Sequence, residues 1–183
     1  MLGTVHRTGD GRLALRFERR LAHPPEQVWR AITEVEHLRH WFPVEIDSDL
    51  SPGATVRFDL TAEAKRRLHL EGADTTTDGL VTVFDPPRLL EYTWGEELTR
   101  WELSADGEGG CLLVFTDIFD GDLREPDHRN ATTQASASWH ACFEMLEAWL
   151  AGRPAGRSAW DRAAELAEAY LAVVTEAAPR RSR

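Results

Sequence analysis

What most constrains this chain is a change of hydrophobic period near its end. Between residues 44 and 119 apolar side chains recur at every second position, in short runs separated by turns. Val56, Phe58 and Leu60 alternate after Ser51-Pro52-Gly53, and the run Gly79 to Phe84 is closed by Asp85-Pro86-Pro87. Leu90, Tyr92 and Trp94 alternate next, followed by Thr99, Trp101 and Leu103. Asp106 to Gly110 reads as a hairpin turn, and Cys111 to Phe119 is almost entirely apolar. With no helix expected among these runs, neighbouring strands pair antiparallel. The period then becomes helical. Asn130 is expected to cap a long helix reaching about Ala151, with Ala135, Trp139, Cys142, Phe143, Leu146, Trp149 and Leu150 on one arc.

The flanks add three shorter pieces. Leu13, Leu15, Phe17 and Leu21 alternate as a half-buried strand. Pro24-Pro25-Glu26 opens a short helix presenting Val28, Ala31 and Ile32, and a second runs from about Glu34 to Trp41. Residues 120–130 read as a polar, acidic loop. Beyond the break at Gly152 to Gly156, Ser158 with Asp161 resembles a capping box. It opens a final helix over residues 157–175, with an apolar stripe of Trp160, Ala164, Ala167, Leu171 and Val174. A curved antiparallel sheet with the long helix laid in its concavity buries the apolar faces of both, an α+β fold. At 183 residues this is one domain with a modest extension.

Composition excludes several classes. Hydrophobic residues make up 42% of the chain, with seven Trp and seven Phe, enough for a real core and too many for a disordered chain. The formal net charge is −10, and residues 1–152 hold 15 basic against 27 acidic side chains. That field argues against a nucleic-acid binder and against a basic membrane-surface protein. The tail Pro179 to Arg183 is mildly basic and reads as a solubilising end. No stretch approaches the length of an apolar membrane span. Cys111 and Cys142 show no disulfide or metal spacing, so a protein of the reducing cytoplasm is expected.

Catalytic signatures are missing: there is no G-x-S-x-G, G-x-G-x-x-G, P-loop, H-E-x-x-H or C-x-x-C. Asp74, Asp78, Gly79 and Asp85 partly overlay a calcium loop, but a loop-to-strand junction explains them better. His37 and His40 have no third ligand spaced to complete a site, so they read as solvated, and no metal or cofactor is expected. His140 and Glu144 read as an i,i+4 surface pair. Asp117 shares the parity of Leu113 and Phe115. It is either an acid in an aromatic pocket, with its pKa raised by desolvation, or a wet residue at the strand's end near Asp120 and Asp122. Tyr92, Trp94 and Trp101 share inward parity, and Trp139 and Phe143 face them from the helix. These rings make either a packed core or the lining of a sheet–helix cavity.

The order of these motifs resembles a known superfamily. Phe17, Arg19, Leu21, Pro24-Pro25-Glu26, Val28-Trp29, Ala31-Ile32-Thr33, Leu38 and Trp41-Phe42 are similar to the opening of SRPBCC (START-like) proteins. Within it, the pattern is closest to the group like the C-terminal domain of the activator of the ninety-kilodalton heat-shock protein's ATPase. Gly79-x-Val81, Val83-x-Asp85-Pro86-Pro87 and Leu90-x-Tyr92-Thr93-Trp94 match its central hairpin. Trp101-Glu102-Leu103, Trp139-His140, Leu146 to Leu150 and Gly152 match its later strands and closing helix. The resemblance covers residues 12–152, implies the helix-grip fold, and leaves 153–183 as a helical extension. The fuller activators carry a further N-terminal domain, whereas about a dozen residues precede the first strand here. Many relatives have His or Gln near the end of the last strand, where this chain has Asp117.

Three functions follow as expectations. The first is a binding protein for a small hydrophobic or aromatic ligand, contacted by Phe58, Tyr92, Trp94, Trp101, Phe115, Trp139 and Phe143, with Asp117 and Tyr92 orienting its polar end. The second is a polyketide cyclase- or dehydratase-like enzyme using Asp117, with Tyr92, for acid–base chemistry. The third is a protein-interaction module, chaperone-cofactor-like or homodimeric, docking through the acidic surface or the terminal helix around Trp160.

Overall fold

The computed structural model describes residues 1–47, 50–154 and 158–178. Eight strands form one antiparallel sheet, in the order β1-β2-β8-β7-β6-β5-β4-β3. They are β1 (Thr4–Arg7), β2 (Leu13–Leu21), β3 (Val44–Asp47), β4 (Thr55–Leu60), β5 (Thr77–Asp85), β6 (Leu89–Trp94), β7 (Glu97–Ala105) and β8 (Cys111–Phe119). Helices α1 (Pro25–Thr33) and α2 (Val35–Leu38) join β2 to β3, and α3 (Ala62–Leu68) joins β4 to β5. α4 (Pro126–Leu150) covers the sheet's concave face, and α5 (Ala159–Ala177) follows it. This is the helix-grip α+β architecture expected of the pattern.

Register explains where the core sits. Across β2, β8 and β7, Phe17 pairs with Phe115 and Phe115 with Trp101, which puts three large rings in one row of the inner face. The next row runs from Leu15 through Asp117 to Thr99 and then to Tyr92 of β6. Phe143 and Leu146 of α4 are buried against these rows. The hairpin turn forms as expected, with the Asp106 carboxylate accepting from the Glu108 and Gly110 amides, both at 2.9 Å.

Several expectations need correction, among them the second short helix, which ends at Leu38 rather than near Trp41. β1 is an additional strand; it pairs with β2 at the sheet's edge and is too short for periodicity to reveal. α3 interrupts the run of strands: Ala62–Leu68 is made of good helix formers, and the Thr61 hydroxyl accepts from the Ala64 amide at 3.2 Å. α4 starts at Pro126 rather than after Asn130, because Pro fits the first helical turn and Asp127 favours the helix N-terminus. The buried stripe of α5 is Ala163, Leu166, Tyr170 and Val174; Val174 is as expected, but Ala164 and Leu171 are exposed and Trp160 and Ala167 half-buried. Tyr170 sets the helix's rotation. Its hydroxyl accepts from the Gly3 amide at 2.8 Å and lies 2.7 Å from His140 Nδ1, which lets a phenol sit fully buried.

His140 is therefore no surface residue. Its Nε2 lies 3.3 Å from Glu144, as an i,i+4 pair should, yet Tyr170 of α5 packs against the imidazole and buries it, while Glu144 stays half-buried. Burial and the nearby Arg19 charge push its pKa down to about 4. Arg162 of α5 holds Glu144 by two bonds of 2.7 and 3.0 Å, tying the helices together. The capping expectation for Ser158 is met, with its hydroxyl accepting from the Asp161 amide at 3.1 Å. The expected break after α4 begins at Gly152, whose φ is +63°, while residues 155–157 and the Pro179 to Arg183 tail lie outside the described residues.

Candidate functional site

Towards the N-terminal half of α4 the two layers do not close. Ala131, Thr132, Ala135 and Ser138 face the sheet there, and side chains this small cannot fill the space that Phe143 and Leu146 fill further along. What remains is a cleft of about 340 Å³. Trp139 and Cys142 complete its α4 wall; Trp94, Glu97, Asp117 and Phe119 form its sheet wall; Phe42, Pro43 and Val44 close one side. His128 and Asp120 stand among its lining residues, at the start of the helix and the end of β8.

The structure separates the eight residues proposed from sequence. Trp94, Asp117 and Trp139 line the cleft. Phe58, Tyr92, Trp101, Phe115 and Phe143 do not, and are buried behind it as the packed floor. Trp101 meets Phe115 edge-on at 4.6 Å, Phe115 lies 4.3 Å from Trp139, and Phe143 lies 5.3 Å from Phe115. Tyr92 accepts a bond from the Trp101 indole at 3.3 Å, and its ring centroid lies 5.4 Å from that of Phe58. Phe58 stacks on Trp94 at 4.6 Å and Phe42 on Trp139 at 5.6 Å, so both cleft indoles are braced from behind or beside.

Asp117 decides the polarity of the site. It is 3% exposed, which settles its position inside the layer rather than wet at the strand's end. The Thr99 hydroxyl donates to it at 3.2 Å from the neighbouring strand. Desolvation, reinforced by the charge of Glu97, pushes its pKa up to about 7, against the opposing pull of Thr99 and Trp139. Desolvation also raises Glu97, which stands at the mouth; as that residue is exposed overall, the effect there counts for less.

Other reactive groups are occupied or inert. Burial pushes the Cys142 thiol up to about 12, so it is no thiolate nucleophile. His128 Nδ1 accepts from the Asp122 amide at 3.0 Å, which leaves Nε2 as its donor in the neutral ring. Asp74 forms a turn by accepting from the Thr76 amide at 3.0 Å, and His40 stacks on Trp149 at 4.0 Å. Among the described residues no group of three or more His, Cys, Asp or Glu side chains is arranged to hold a metal ion. None of their helices is long and apolar enough to cross a membrane.

Sequence reasoning missed Phe42, Glu97, Phe119 and most of the small residues of α4. Glu97 was within reach, because it shares the inward parity of Thr99 and Trp101 and pairs with Trp94. Ala131, Thr132 and Ser138 carry too little hydrophobicity for a period analysis to single out.

Comparison with known proteins places this geometry. The family described as AHSA1, activator of Hsp90 ATPase homolog 1-like protein, matches residues 22–151. No curated protein matches the chain. Among solved structures, a conserved protein of unknown function, EF2215 from Enterococcus faecalis, is 19% identical over 97% of this chain and 92% of its own, with a TM-score of 0.71. CalU16 from Micromonospora echinospora is 21% identical over 94% of this chain and 95% of its own, at a TM-score of 0.66. A protein encoded by gene BPP1335 of Bordetella parapertussis is 28% identical over 86% and 84%, also at 0.66.

Proposed function

The chain belongs to the family of activator of Hsp90 ATPase homolog 1-like proteins, and from that premise we propose that it binds a small, flat, largely apolar molecule in the cleft between α4 and the sheet. The observation that carries this reading is an open space bounded by Trp94 and Trp139, with one deeply buried carboxyl, Asp117, reaching it. Its volume falls within the few hundred Å³ usual for small-molecule sites, and such sites combine apolar walls with a few placed polar groups. Binding removes the exposed parts of two indoles from water while Asp117 meets the ligand's polar end. Residence in a reducing cytoplasm belongs to the same proposal, supported by two free, buried cysteines.

Tryptophan fluorescence reports the test directly, since two of the cleft walls are indoles. Naphthylmethanol is expected to quench emission saturably. Ala135→Leu, which fills the cleft, is expected to weaken binding about tenfold or more while changing stability by only about 1 kcal/mol. Binding that survives Ala135→Leu unchanged, or no saturable response across a panel of aromatic alcohols, phenols and polycyclic ligands, would overturn the reading.

A second reading is favoured by the burial of Asp117 in the cleft lining, where desolvation pushes its pKa up to about 7. A carboxyl poised there can give and take a proton near neutral pH, as a cyclase- or dehydratase-like enzyme acting on an aromatic or polyketide-type substrate requires. Tyr92 lies behind the cleft wall, so Asp117 would act without it. Turnover of such a substrate, abolished in Asp117→Asn with binding retained, is the result expected; equal loss of both refutes it.

A further inference from the structure

The cleft's charge is as uneven as its shape. Three of its lining residues carry carboxyls, Glu97, Asp117 and Asp120, and none is Lys or Arg. Arg124 binds the Asp122 carboxylate through Nε at 2.9 Å, Arg7 Nη2 lies 3.7 Å from the same group, and Arg129, next to His128 on α4, is not among the lining residues. Asp117 occupies a sheet row between Leu15 and Thr99, so no cation reaches it across the strands. Its strongest charged neighbour is Glu97, of the same sign.

An anionic ligand here would meet like charge from Glu97, Asp117 and Asp120, against which the lining sets one imidazole, His128. A neutral apolar ligand would bury Asp117 further and offer it no new partner. A cation meets complementary partners on both sides. Carboxylates supply opposite charge, and the indoles of Trp94 and Trp139 with the rings of Phe42 and Phe119 present π faces, which attract cations electrostatically.

Resting on the pocket reading above, we infer that the cleft selects a flat aromatic ligand bearing a protonated amine, with the ammonium set beside Asp117 and Glu97 and the ring system between Trp94 and Trp139. Asp117 and Glu97 are then specificity-determining residues, and Asp120 adds to the field at the rim. The buried carboxyl that is costly in the empty cleft becomes the counter-ion of the bound amine.

Three probes of one shape separate the charge effect from the pocket itself: naphthylmethylamine, naphthylmethanol and naphthoic acid, titrated at about pH 8 against the full chain by fluorescence and calorimetry. The ammonium is expected to bind about tenfold or more tighter than the alcohol, with the carboxylate weakest. In Asp117→Asn the amine-to-alcohol ratio is expected to fall towards one while the alcohol still binds; Glu97→Gln, at an exposed position that tolerates substitution, is expected to lower the ratio by a smaller factor. Equal or tighter binding of the alcohol or the acid overturns the inference and leaves the pocket reading standing. A ratio unchanged in both variants overturns it too, as does ammonium binding that persists in Ala135→Leu, since that would report only the acidic surface. Failure of all three probes to bind would remove the pocket reading itself.

Discussion

The two halves of α4 cover the same sheet and do opposite things. Towards its C-terminus, Phe143 and Leu146 fill the layer completely, and β1 and α5 seal it from behind through Tyr170, His140 and Gly3. Towards its N-terminus, Ala131, Thr132, Ala135 and Ser138 leave a cleft, and the buried carboxyl inside it, Asp117, has Thr99 and Trp139 as partners but no counter-ion. At the sealed end Glu144 contacts both His140 and Arg162, Tyr170 bonds the chain's N-terminal segment, and the buried Arg19 pairs with Glu147 at 3.4 Å while its Nη2 has no hydrogen-bond partner among the described residues. The difference teaches where stability was built and where it was left incomplete. A hydrogen-bonded network that spans three segments of the chain rigidifies; a buried carboxyl facing an opening is a place for something to bind.

The comparison is broken most directly at the sealed end. Phe143→Ala removes a fully buried ring from among Phe17, Phe115 and Trp139, and is expected to cost about 3–5 kcal/mol in urea unfolding. A loss below about 1 kcal/mol would mean that the layer there is not packed as described.

Asp117 offers the next largest effect, this time through pH. Its folded-state pKa lies above the ordinary carboxyl value, so its contribution to stability is complete below about pH 4 and is lost as the pH rises through about 7. A rise of that size corresponds to on the order of 4 kcal/mol, an upper bound because the fold can relax around the charge. The wild type is therefore expected to lose stability between about pH 4 and 8 relative to Asp117→Asn, whose profile should be flatter over that range. Parallel profiles in thermal melts would show that the carboxyl is solvated after all. The smallest effect belongs to Tyr170→Phe. Losing the hydroxyl leaves the Gly3 amide and His140 Nδ1 without their partner, at a cost of about 1–3 kcal/mol, with cleft binding unchanged. A change in ligand affinity in that variant would mean that the two ends are coupled.

Much of this contrast could be read from residue order. Alternation placed Phe17, Tyr92, Trp101 and Phe115 on one face of the sheet, and the helical arc placed Trp139 and Phe143 opposite them. The same alternation put Asp117 on the inner face but could not say whether the strand's end was wet, because that depends on what lies across from it. The rotation of α5 was not legible for a related reason. A hydrophobic stripe counts Leu171 above Tyr170, and only the arrival of Gly3 and His140 from distant parts of the chain makes the phenol the residue to bury.

The amino-acid sequence by itself determined that the strands pair antiparallel and that one long helix closes over them, because period and turn chemistry are local properties that every fold must honour. Which rings became floor and which became wall was decided only by the tertiary structure. Parity assigns a side chain to a face; the distance between faces follows from the sizes of the residues that meet there. Small residues on the first half of α4 hold that gap open, and large ones on the second half close it.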